Sequence, residues 1–129
     1  ELMPGLQPGM GGIGPFIPHH DTPFKDRPAG TRRQTLLPLA IVRLMLPDVL
    51  LPATTALGTI EPDGREQGVM AGANVVMPNL SPMEVRKKYM LYDNKAITGD
   101  DAGENLKLSQ DNINEIGYEV IIDKGDYKR

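Results

Sequence analysis

The sequence predicts an α/β fold in which parallel strands alternate with helices. Three observations carry this. Apolar runs of strand length, bounded by Gly and Pro, recur at Met10–Ile17, Leu51–Thr55, Ala73–Met77 and Tyr118–Asp123. Between them lie stretches with helical spacing or helical caps. Strands separated by helices imply crossover connections and a parallel sheet, which needs cover on both faces.

Each element has its own signal. Met10 to Ile17 reads as a first buried strand ended by Pro18, its glycines allowing backbone or ligand to approach closely. His19 to Gly30 (HHDTPFKDRPAG) is polar, broken by prolines, and reads as a loop. Thr31 precedes Gln34 at capping-box spacing. Leu37, Ala40 or Ile41, and Leu44 then recur at helical spacing, so a helix is expected to bury that side. Pro38 has no N–H, which favours a late start near Thr35 with the proline in the first turn. Pro47 ends this helix. The second strand is expected at Leu51–Thr55, with Pro52 at its beginning. Glu61–Gly64 is a turn, and Arg65–Ala71 a short helix with Gly72 at C′. Asn74 reads as a turn residue leading into the third strand. Ser81, Pro82 and Glu84 give an N-cap, a first-turn proline and a capping box for a helix to about Tyr92. Asp93–Gly103 is loop-like. Leu106, Ile113 and Ile116 mark a last helix stopped by Gly117. Tyr118–Asp123 reads as a final strand. Such an order suits a small doubly wound domain or part of a (β/α)8 barrel, which takes about 250 residues. Periodicity does not choose between them.

At 129 residues the chain makes a single domain. Its 14 basic and 17 acidic residues give a net charge of −3 without a basic block, a poor basis for binding nucleic acid. No apolar run approaches the roughly 18 residues that span a bilayer, and no signal-peptide pattern opens the chain. No membrane association is expected, and the expected location is cytoplasmic. Cysteine is absent, which excludes disulfides, a cluster held by this chain's own thiolates, and thiol catalysis.

In either architecture ligands sit at the C-terminal ends of the strands. Those ends hold Phe16 to Thr22, Thr54 to Thr59, and Met77 to Asn79. Two threonine hydroxyls at a strand end can bind a small anion, although threonine is also a common strand residue. Arg65 could clamp a carboxylate or be a solvated surface charge. Met77 suits a core wall and Asn79 a turn. His19, His20 and Asp21 are metal-ligand types. Adjacent residues on an extended chain point opposite ways, however, so a loop hydrogen-bonding role is expected and no metal is assigned. No nucleophile–base pair stands out, and GMGGIG lacks the following helix of a dinucleotide fingerprint.

Three stretches together resemble a known family: GIGPFIPHHDTPF (12–24), LPATTALGTIEPDGREQGVMAGANVVMPNLSP (51–82) and IGYEVIIDKGDY (116–127). They are similar to the C-terminal half of the HydE-type radical-SAM maturases of FeFe hydrogenase; biotin synthase and methylornithine synthase are more distant relatives. The resemblance implies the C-terminal part of a radical-SAM (β/α)8 barrel in one domain, 1–129. Residues 1 to about 92 would form β/α units and 93–129 a C-terminal extension. It implies S-adenosylmethionine and a 4Fe–4S cluster in the full-length enzyme, which cleaves S-adenosylmethionine to a 5′-deoxyadenosyl radical. A small sulfur-containing iron substrate would be processed during H-cluster assembly.

The radical-SAM cysteines are missing here, as expected if the chain starts midway through the barrel. The second cysteine set that many relatives carry before the last helix, near Thr98 to Leu108, is replaced by TGDDAGENLKL. Matched residue by residue, Phe16, Ile17 and Pro18 resemble the segment along the adenosine of S-adenosylmethionine. Thr54 and Thr55 resemble the threonine pair lining the substrate cavity, and Met77 its wall. Arg65 and Asn79 are further substrate-side candidates, and no catalytic residue is assigned. Alone, the chain is expected to be catalytically silent. The alternatives are a half-barrel binding module, closed by self-association or by an N-terminal half-barrel, and a biotin synthase-like or methylornithine synthase-like enzyme.

Overall fold

The structure, a computed structural model, describes residues 8–78 and 102–127. The helix expected from Ser81 to Tyr92, most of the loop after it, and Asn79 lie outside the described residues. In chain order the elements are α1 (Arg32–Met45), β1 (Pro52–Ala53), α2 (Thr55–Ile60), α3 (Gly64–Met70), β2 (Val75–Val76) and α4 (Ala102–Glu115).

The parallel expectation holds for the second and third runs. β1 and β2 pair in parallel, Pro52 opposite Val75 and Ala53 opposite Val76. The first run joins on the other side of β1 through a single parallel bridge between Met10 and Leu50. Gly11 N–H donates to the Leu50 carbonyl at 2.9 Å, and Leu50 N–H to the Gly9 carbonyl at 3.0 Å. Beyond this bridge the expected strand to Ile17 does not form. Pro15 and Pro18 have no N–H to continue a ladder, and three glycines weaken an extended segment. Tyr118–Asp123 is likewise no strand. Its Val120 packs against the core, but Ile121 and Ile122 are exposed.

Helix α1 opens on the expected capping box. The Thr31 hydroxyl accepts from Gln34 N–H at 3.3 Å, and Gln34 Oε1 accepts from Thr31 N–H at 2.9 Å. The helix therefore begins at Arg32, earlier than Pro38 suggested, and carries that proline in its interior. Pro38 and Gln34 are both exposed, so the Gln34 carbonyl that loses its helical donor faces water. The buried face is also displaced from the expected one. Thr35 and Leu39 are buried, whereas Leu37, Ile41 and Leu44 are exposed. Arg43 lies on the inner side and reaches the end of α3, where it donates from Nε to the Gly72 carbonyl at 2.7 Å.

The second strand ends sooner than expected, because Thr54 acts as an N-cap and starts α2. Gly72 fulfils its C′ role, with φ 115° after Ala71. Helix α4 starts at Ala102, so residues 102 and 103 of the expected loop are helical. Gly117 (φ 86°) stops it, and Tyr118 N–H donates to the Ile113 carbonyl at 3.2 Å.

The core brings Leu39, Ala53, Val69, Ala73 and Ile113 together, flanked by Ala71, Val76, Ile116 and Val120. Each helix except α2 contributes, and α2 adds the fully enclosed Leu57. Among the described residues no helix is long and apolar enough to cross a membrane.

Asn74 does more than turn the chain. Its Oδ1 accepts from Leu51 N–H at 2.8 Å, while Asn74 and Val75 N–H both donate to the Leu51 carbonyl. Leu51 is buried, so removing the amide leaves a buried N–H without an acceptor. Asn74→Ala is expected to lower stability by about 1–3 kcal/mol, read as a fall in urea midpoint at unchanged m. Asn74→Asp, which keeps the acceptor oxygen, loses less.

Candidate functional site

The C-terminal ends of the three co-directional segments form one side of the molecule. Gly14, four residues beyond the Met10–Leu50 bridge, lies against Thr54. Met77 directly follows the Ala53–Val76 pair, the last of the sheet. Gly14, Thr54 and Met77 thus each lie beyond the paired residues of their segments. The approach of the first two is close: a Cβ on Gly14 would stand 3.0 Å from Thr54 Oγ1.

Thr54 sits there because its backbone leaves the strand in extended geometry (φ −71°, ψ 151°) and caps α2. Its hydroxyl oxygen accepts from Leu57 N–H at 3.4 Å, which leaves the hydroxyl proton able to donate to a ligand oxygen. Thr55 diverges from it. Thr55 Oγ1 accepts from Arg65 Nη2 at 3.5 Å, and the Arg65 stem covers Gly58. The structure therefore joins Thr55 to Arg65 and Thr54 to Gly14, rather than presenting one threonine pair. Arg65, with Glu66, Asn112 and Ile113, also lines a cavity of about 60 Å³ between α3 and α4. Glu66 Oε1 accepts from Asn112 Nδ2 at 2.8 Å on its wall.

Phe16 belongs to a neighbouring recess. Its carbonyl accepts from Gly30 N–H at 2.8 Å, which folds the loop of residues 19–30 back over it. Phe16 and Phe24 meet edge to face, centroids 6.4 Å apart at 82°. With Arg27 and Pro28 they line an open recess. Ile17 and Pro18 follow, both half-buried. Met77 is exposed, and Asn79 lies outside the described residues. The sequence reading missed Phe24, Arg27 and Pro28, because the loop return that collects them depends on one Gly30–Phe16 bond and leaves no periodic signal.

His19 and His20 are not extended. The Thr22 N–H and hydroxyl both donate to the His19 carbonyl, at 3.1 and 2.9 Å, closing a turn. The two rings consequently stack on one side, centroids 4.3 Å apart at 22°, instead of pointing opposite ways. The expected loop hydrogen bond is present: His19 Nδ1 accepts from Asp21 N–H at 3.1 Å.

No protein-family model matches the chain. A curated protein does: the chain is 52% identical over 86 residues to the "[FeFe] hydrogenase maturase subunit HydE" of Thermotoga maritima. The match covers 67% of this chain and 25% of that protein, so it spans about a quarter of the relative's length. The resemblance to HydE-type maturases is thereby shown over 86 residues, about half of them identical.

Proposed function

We propose that this chain works as the C-terminal part of a HydE-like radical-SAM enzyme, its strand ends lining the substrate cavity. The single observation that carries this is the 52% identity over 86 residues to a HydE maturase. In this reading residues 1–92 form β/α units of a barrel and 93–129 a C-terminal extension. The apolar stripe Leu37, Ile41 and Leu44, exposed on α1, gives further β/α units a face to pack on.

The implied groups fare differently against the residues present. A 4Fe–4S cluster has no thiolate ligand here, since the chain has no cysteine. S-adenosylmethionine fits better. Phe16 is 47% exposed beside an open recess, so its apolar surface can lie along an adenosine. When bound, it would supply the 5′-deoxyadenosyl radical. Phe16, Ile17 and Pro18 would hold its adenosine by apolar contact. Thr54 would orient a substrate oxygen through its hydroxyl, and Met77 would wall the cavity beside it. Arg65 would act indirectly, holding Thr55.

The test is a transplant. The matched segment of Thermotoga maritima HydE is replaced by this chain's, and anaerobic formation of 5′-deoxyadenosine is measured with hydrogenase maturation. The chimera is expected to retain both activities, while the present chain alone forms no 5′-deoxyadenosine. A chimera that folds and carries its cluster yet stays inactive counts against the proposal, as does turnover by this chain alone.

A further inference from the structure

The turn at residues 19–22 gathers the only two histidines of the chain with a carboxylate. One nitrogen from each of His19 and His20 and one oxygen of Asp21 lie within 4.8 Å of one another. His20 Nε2 and Asp21 Oδ2 are 3.3 Å apart. The side chains of His20 and Asp21 are 68% and 76% exposed, within reach of an ion arriving from solvent. Tetrahedral coordination at Zn–N distances of about 2.0–2.1 Å separates ligand atoms by roughly 3.4 Å, so an inward shift of about 1 Å per group completes the set. The backbone has already performed the larger task of bringing neighbouring side chains to one side.

From this geometry we propose that His19, His20 and Asp21 form a surface site for a divalent first-row transition ion. Two imidazoles and one carboxylate are the donors that suit Zn2+, Cu2+ and Ni2+ rather than Mg2+ or Ca2+. Three residues supply three ligands and leave the remaining coordination positions to water or to a group brought by another molecule. The apo turn holds His19 Nδ1 as acceptor of the Asp21 N–H. Metal binding exchanges this bond. Either Nδ1 gives its lone pair to the ion, or Nε2 does so and the ring proton moves to Nδ1. In both cases the Asp21 N–H loses its acceptor, a signature specific to this site. The inference stands on the turn alone and is independent of the HydE-like reading.

The site is tested by titrating the full chain with Zn2+ alone, followed by calorimetry and by ¹H–¹⁵N NMR of the Asp21 amide and both imidazoles. Saturable binding of one ion is expected, with the Asp21 amide and both histidine rings shifting together. His19→Ala and His20→Ala should each weaken binding roughly tenfold or more. Both side chains lie on an exposed turn, so unchanged circular dichroism would verify folding of the variants. Absence of saturable binding up to about 1 mM Zn2+ would overturn the proposal. Undiminished binding in the His19→Ala/His20→Ala double variant would overturn it equally, by assigning the ion to carboxylates elsewhere.

Discussion

Gly64→Ala is expected to lower the stability of the chain by about 3 kcal/mol or more, the upper end for overpacking, because its new methyl group meets backbone. Gly64 is buried where α3 begins against the end of α2. A Cβ there would stand 2.7 Å from the Leu57 carbonyl carbon and 3.1 Å from Gly58 N, and would overlap the Leu57 carbonyl oxygen. No rotamer change relieves such a clash, since backbone atoms move only if a helix moves. The Leu57 carbonyl is also engaged, accepting from Glu61 N–H at 3.2 Å where α2 ends. Leu57 itself is completely enclosed, so retreat of α2 would open the core. A thermal melt of the variant should fall by roughly 10 °C or more. Gly12→Ala is the control: nothing lies within 4 Å of a Cβ built there. Its stability should stay within about 0.5 kcal/mol of the parent. If Gly64→Ala melts with Gly12→Ala, the close approach of α2 and α3 is not what requires glycine.

Signals contained within a few residues were legible in the sequence. The Thr31–Gln34 capping box and the C′ roles of Gly72 and Gly117 depend on local backbone chemistry, and all three are present. The parallel pairing of the second and third runs was legible from alternation with helices. The buried side of α1 was not, because its periodic stripe of Leu37, Ile41 and Leu44 is apolar yet exposed. Its inner side instead reads Thr35, Leu39, Arg43, and an arginine there becomes intelligible only once the Gly72 carbonyl is in reach. The candidate site shows the same division. Strand ends could be placed from sequence, since Thr54 and Met77 each follow directly on the last paired residues, Ala53 and Val76. Whether neighbouring residues share a side could not, since it depends on turns. Thr54 and Thr55 were paired and diverge, whereas His19 and His20 were expected apart and stack.

Arg43→Met is expected to lower stability by about 2–4 kcal/mol, the scale of several bonds from one charged donor. Arg43 lies in the last turn of α1, where a cation favours the helix dipole. Beyond its bond to Gly72, its Nη1 donates to the carbonyls of Leu46, at 3.3 Å, and Pro47. One guanidinium thus closes the end of α1 and ties it to the end of α3. Gly72 must be glycine for this, because a Cβ would stand 2.7 Å from Arg43 Cβ at a φ of 115°. Burial lowers the Arg43 pKa from the usual arginine value, and nearby Asp48 acts in the opposite sense. Methionine keeps most of the aliphatic stem over Gly72 and deletes the fork, so the loss measures the carbonyl bonds rather than packing. Lysine retains the charge but cannot span three carbonyls, and Arg43→Lys should fall between parent and methionine variant. Guanidinium chloride melts of the three proteins, compared at equal m, give the order. A methionine variant as stable as the parent would show that packing of Leu39 against Val69 and Ala73 holds α1 in place without the clamp.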